Sequence, residues 1–209
     1  LRPKFNIEIY QKSKNFLIYE VATLILIRCE VFILSYYLGK KIIEDSDLAN
    51  YWASYNFILI ISIIGTTMSS LILPYLNDKK LKKIELDNVV RKTSILMIIL
   101  IGILFLFSYV LSEFFINKYS GLHLYILFMS IGVFLSFISN IDRLKIMAGM
   151  GSNEYANKVV IGQLVFAIVT NLILIYYYAI FGAVLSYLLV RLFGYIMLKF
   201  EISKHSKNG

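Results

Sequence analysis

Long apolar blocks, each near twenty residues and separated by short basic segments, leave this chain few ways to fold. In lipid every backbone N–H and C=O must be satisfied within the protein, so only helices and closed barrels span a bilayer. About 20 residues rising 1.5 Å each cross the roughly 30 Å hydrocarbon layer. Barrel strands are shorter and alternate in polarity, which these blocks do not. They read as six helices, at about 16–38, 50–73, 94–116, 123–147, 159–178 and 181–198. The expected fold class is all-α: a polytopic membrane protein whose residues 1–209 form a single six-transmembrane-helix bundle. Composition agrees, because 16% of residues are charged where a soluble domain carries about a quarter.

The breaks between blocks set the expected boundaries. The first span ends at Gly39, and the second stops at Pro74, whose missing N–H is costly deeper inside a helix. The most basic loop, NDKKLKKIELDNVVRK, precedes the third span. Residues Gly149 to Asn157 form a Gly/Ser/Asn break, and a very tight connection around Ala179 joins the last two spans. No short apolar segment is followed by a signal-peptidase site. The lone Cys29 excludes an internal disulfide and lies within a span as a packing residue. The opening residue, Leu1 rather than Met, suggests a fragment of a longer protein.

The net charge of +8 could point to nucleic acid, but its distribution explains it otherwise. Lysines and arginines gather in the N-terminal segment, in 79–92, at 143–158 and in the tail, while the opposite side holds only Lys40, Lys41 and Lys118. Basic residues flank the cytoplasmic ends of spans, so both termini are expected in the cytoplasm, with no nucleic-acid partner.

Arg28, Glu30 and Arg191 fall inside spans. A charge at the bilayer centre costs roughly 2.5–3.5 kcal/mol on insertion scales, so each must face a partner helix or a wet cavity. At about 100° per residue, Arg28 and Glu30 point to different faces of the first helix. Glu30 and one arginine could form a buried ion pair that only locks the bundle. Alternatively, an arginine lines a cavity and meets an anion, whose phosphate suits a planar guanidinium. Asn140, Gln163 and Asn171 compete evenly between cavity lining and helix packing. Gly132, Ser136 and Asn140 form one seam, and Gly65/Ser69 and Gly182/Ser186 are small-residue pairs that let backbones approach. Asp142, Arg143 and Lys145 read as a solvated or snorkelling helix end. The aromatic residues at the outer ends, among them Tyr36, Tyr37, Tyr51, Trp52, Tyr55 and Tyr176 to Tyr178, read as an interfacial belt, with sugar stacking as the rival. No P-loop, zinc-type spacing or nucleophile elbow is present; neither catalytic residues nor a metal or cofactor is expected, and an enzyme is not.

The segment RCEVFILSYYLG, followed by LANYWASYNFILII and LPYLNDKK, resembles the seventh and eighth helices of bacterial polysaccharide flippases of the multidrug/oligosaccharidyl-lipid/polysaccharide exporter superfamily. The stretch MAGMGSNEYANKVVIGQLVFAIVTNLILIYYYAIFGAVLSYLLV is similar to that family's last helix pair. Gly149, Tyr155, Asn171, Gly182 and Ala183 stand at its glycine, aromatic, asparagine and Gly-Ala positions. Glu30 stands where an aspartate is more usual, and FGAVLS departs from the commoner Gly-x-x-Gly-Ala wording. The resemblance implies the C-terminal lobe of a two-lobed transporter, with a missing N-terminal lobe or a second copy as partner. The implied activity is transfer of a polyprenyl-diphosphate-linked oligosaccharide, such as an O-antigen repeat unit, across the bacterial inner membrane from the cytoplasmic to the outer leaflet. Arg28, Arg191 and Glu30 would then meet or support the substrate. Cation-coupled efflux of small hydrophobic compounds and a non-catalytic scaffold are the alternatives.

Overall fold

A computed structural model describes residues 7–77, 83–115, 121–150 and 154–206, and among them every regular element is helical. The helices are α1 (Ile7–Gly39), α2 (Asp45–Asn77), α3 (Lys83–Val110), α4 (Leu122–Met150) and α5 (Glu154–Ser206), with one π-helical turn at Leu111–Phe115. Each is longer than the apolar block within it. Residues 83–93, expected as part of a basic loop, are the first three turns of α3. Lysines and glutamates are good helix formers, so a helix that begins in water can run on into the apolar segment. Likewise α2 continues through Pro74 to Asn77. The missing Pro74 N–H deprives the Ser70 carbonyl of its helical donor, a loss of one bond within two turns of the helix end. Helix α4 reaches Met150, so the expected break at 149–157 narrows to residues 151–153, outside the described residues. The connections at 78–82 and 116–120 also lie outside them.

Among the described residues five helical stretches stand where six were expected, because the last two blocks are joined in α5 with a single non-helical residue between them. Its backbone leaves helical geometry at Ala179 (φ 48°, ψ −130°). The pairs below that point show that the two arms of α5 fold back antiparallel. Gly182 lies on the Leu174 backbone, the Thr170 and Ser186 hydroxyls are 2.8 Å apart, Phe166 stacks on Phe193 at 4.4 Å, and Gly162 adjoins Met197. The tight connection read at Ala179 is thus where the chain reverses. An L-residue at this φ is strained by about 1–3 kcal/mol. Ala179→Gly is therefore expected to stabilise the protein by about 1 kcal/mol, since glycine adopts this backbone freely. A rise in the midpoint of thermal unfolding in detergent checks this; an unchanged or lower midpoint would show that Ala179 carries no strain.

Helix α1 ends in a Schellman-type cap. The Ile42 N–H donates to the Tyr37 carbonyl at 3.1 Å and the Lys41 N–H to Leu38 at 2.9 Å. Lys41, not Gly39, takes the left-handed conformation (φ 58°) usually reserved for glycine.

Packing runs in a row: α1 lies on α5, α5 on α4, α4 on α2, and α3 on both α2 and α4. One core joins α2, α3, α4 and the α5 turn through Tyr51, Ile58, Met97, Ile126, Met129, Phe137, Ala183 and Val184. A smaller one holds α1 to α5 through Ala22, Leu26, Cys29, Val160, Ala167 and Val190. Cys29 donates to the Leu26 carbonyl and packs, as expected. Gly65 sits against Met97 and Phe137, and Ser69 donates back to the Gly65 carbonyl at 2.7 Å, so this small pair serves helix contact.

Among the described residues, four segments are long and apolar enough to cross a membrane: Asp45–Ile72, Asp87–Glu113, Leu122–Leu144 and the 49-residue Ala156–Lys204. The outward face of α3 is a sheet of apolar side chains, including Ile95, Ile98, Ile103 and Leu106. Such a surface is far larger than soluble monomers expose. These features are those of a multi-pass membrane protein.

Candidate functional site

Glu30 is a buried carboxylate on α1. Its helix is apolar on nearly every side, and the packing of Leu26, Cys29 and Ala22 on α5 decides which face turns inward. Glu30 follows one residue after Cys29 and is 8% exposed, whereas Arg28 lies on the outward face. The divergence expected from their spacing is present.

Glu30 opens into a narrow cleft of about 20 Å³ shared by three helices. Helix α2 contributes Tyr55, the first arm of α5 contributes Ala167 and Asn171, and the second arm contributes Tyr187, Val190 and Arg191. The fold-back at Ala179 is what brings Asn171 and Arg191 to one wall. Gly132 on α4 makes room behind them: a Cβ there would approach the Tyr187 ring to 2.9 Å and the Arg191 Cγ to 3.4 Å. The Arg191 guanidinium lies 5.2 Å from the centre of the Tyr187 ring, a cation–π arrangement that steadies it. The Tyr55 phenol lies within electrostatic reach of Arg28, Glu30 and Arg191 together.

The cleft is polar but not self-satisfied. Glu30 Oε1 and Asn171 Oδ1 are buried without a hydrogen-bond partner among the described residues, while Asn171 Nδ2 donates to the Ala167 carbonyl at 2.9 Å. Arg191 interacts electrostatically with Glu30, yet no ion pair within 4 Å joins them, as one does join Lys199 and Asp142. A latched Glu30–arginine bridge is therefore not how these charges are arranged. A carboxylate and a guanidinium held near each other but apart can each still receive a mobile partner. Among the described residues, no three His, Cys, Asp or Glu side chains gather where a metal ion could be held.

The remaining sequence candidates lie elsewhere. Asn140 and Gln163 line a second recess, with Tyr19 and Arg143. Gln163 Nε2 donates to the Val190 carbonyl at 3.2 Å, tying the two α5 arms together. Asp142, read as part of a solvated end, is buried and its carboxylate meets Lys199 at 2.7 Å. Arg143 is half-buried and turns inward onto Tyr19. Lys145 carries no described side chain. Tyr55, expected in the aromatic belt, and Tyr187, which no sequence pattern singles out, are the cleft residues that sequence reasoning missed. Of the belt, Tyr36 and Tyr176 to Tyr178 are exposed, but Tyr37 and Tyr51 are core residues. The Tyr37 hydroxyl donates to the Leu172 carbonyl at 2.7 Å, fastening α1 to α5.

No protein-family model matches the chain, and neither a curated protein nor a solved structure matches it.

Proposed function

We propose that this chain is one lobe of a membrane transporter, and that the charged head of a lipid-linked substrate passes the Glu30–Arg191 cleft as it crosses the membrane. The observation that carries the reading is the convergence, within an apolar body, of Glu30, Arg191, Asn171, Tyr55 and Tyr187 without an ion pair that closes them. Intramembrane charges that only brace a bundle are expected to pair with each other. Arg191 would attract a diphosphate, and Glu30 would position that arginine or exchange a proton or cation. The resemblance to polysaccharide flippases names the substrate class: a polyprenyl-diphosphate-linked oligosaccharide, such as an O-antigen repeat unit, moved from the cytoplasmic to the outer leaflet of the bacterial inner membrane. No bond would break, so the chain would not be an enzyme. Counting α1 and each arm of α5 as separate spans gives six, and a second lobe or a second copy would complete the passage.

The orientation follows from lysine and arginine placement, which puts both termini and the basic segment 79–92 in the cytoplasm. Alkaline phosphatase fused after residue 43 is expected to be active and after residue 82 inactive. The reverse pattern would invert the membrane topology and with it the direction of transport.

The phenols of Tyr55 and Tyr187 beside a buried carboxylate favour one other reading, cation-coupled efflux of hydrophobic compounds. Complementation of a flippase-deficient strain, together with uptake of a lipid-linked oligosaccharide into vesicles, separates the two. Complementation with lipid-linked transport supports flipping. Drug efflux without it would select the alternative, and neither activity would leave a membrane scaffold.

A further inference from the structure

Half of the residues that line the second recess are polar: Tyr19, Ser139, Asn140, Arg143 and Gln163. It encloses about 60 Å³ and lies between α1, α4 and both arms of α5. Arg143 reaches into it with its guanidinium 4.8 Å from the centre of the Tyr19 ring. One Nη donates to the Tyr19 hydroxyl. That hydroxyl, having accepted, keeps its own proton to donate. Arg143 Nε is buried with no acceptor among the described residues. The Asn140 amide stands on the same wall. Ser139 already donates to the Leu135 carbonyl and Gln163 to Val190, so neither competes for the centre.

Among the described residues, no carboxylate lines the recess. The nearest along α4, Asp142, is held by Lys199 at 2.7 Å. A guanidinium with spare N–H groups, a phenol O–H and an amide, facing one space without a counter-ion, suit an anion with several acceptor oxygens.

Its depth says which anion. Charged residues enter α4 at Asp142 and Arg143 and the end of α5 at Lys199 and Lys204, so the apolar stretches of both helices stop beside the recess. The recess therefore lies at the edge of the hydrocarbon layer, where lipid phosphates lie, and the exposed Lys204 at the same end adds positive charge. We propose that the Arg143–Tyr19–Asn140 recess binds a phosphate group, that of an anionic membrane lipid headgroup. This does not rest on the transport reading, because binding is measured without transport and each can fail alone.

The test uses the whole protein in nanodiscs of phosphatidylcholine or of phosphatidylcholine with phosphatidylglycerol. Modification of Arg143 by phenylglyoxal is followed by peptide mass spectrometry, with the exposed Arg91 of α3 as the reference for surface potential. Phosphatidylglycerol is expected to slow Arg143 about fivefold more than Arg91, the size of effect of one basic residue at an anionic surface. Equal slowing of both would overturn the proposal. Inorganic phosphate added to phosphatidylcholine nanodiscs is expected to leave Arg143 reactive; protection there instead would assign the recess to free phosphate and overturn the headgroup as its source. In native mass spectra Arg143→Gln is expected to lose the bound phosphatidylglycerol, and retention would also overturn the proposal. If that variant does not fold, the protection experiment on the unsubstituted protein still decides.

Discussion

Gly182→Ala is expected to unseat the α5 hairpin. A Cβ at Gly182 would overlap the Leu174 carbonyl and press on the Ile175 nitrogen. Both are backbone atoms of a helix, so no rotamer change relieves the overlap, and the two arms must separate. That separation loosens the pairs below the turn, Thr170 with Ser186 and Phe166 with Phe193, and withdraws Ala183 and Val184 from the main core. Overpacking a tight interior costs about 1–3 kcal/mol even where side chains can adjust. With backbone on the receiving side, the upper end or beyond is expected. The measurement is the midpoint of thermal unfolding in detergent, with size-exclusion profiles as a check on dispersity. Gly102→Ala is the contrast, since nothing lies within 4 Å of a Cβ at that position in α3. It is expected to be neutral or to stabilise by up to about 1 kcal/mol through helix propensity. If Gly182→Ala unfolds with the same midpoint as the parent, the arms do not meet at this glycine.

Arg191→Ala is expected to reduce transport by about 10- to 100-fold while insertion and folding persist. A hydrogen bond to a charged group contributes about 1.5–3 kcal/mol, and each 1.36 kcal/mol corresponds to tenfold in rate. Arg28→Ala is expected to have the smaller effect, because Arg28 lies on the outward face and does not line the cleft. The double variant Glu30→Gln with Arg191→Gln distinguishes transport from bracing. Replacing both members of a buried charge pair is often close to neutral for stability, so a purely structural pair predicts nearly full activity. The transport reading predicts that activity stays as low as in the single Arg191 variant. Uptake of lipid-linked oligosaccharide into vesicles, normalised to folded protein, measures both. Full activity in the double variant would remove the cleft from the transport path.

Helical structure, membrane location and the reversal near Ala179 were legible in the residues themselves. They depend on local quantities: the length of an apolar run against the thickness of a bilayer, and a gap too short for anything but a turn. The edges were less legible, because amphipathic helix-forming segments such as 83–93 extend helices into water without changing hydropathy. That Arg28 and Glu30 diverge also followed from 100° per residue. Which of them faces inward did not. Lipid and protein interior are equally apolar, so a helix such as α1 shows no polar stripe to declare its buried side. The gathering of Glu30, Tyr55, Asn171, Tyr187 and Arg191 came from three helices meeting across a chain reversal. So did the inward turn of Arg143 onto Tyr19, which a reading of charges near a helix end could only place in solvent. Hydrophobic length along the chain determined what this protein is made of; close packing between distant segments, set by small residues such as Gly132 and Gly182, decided which charges share a space.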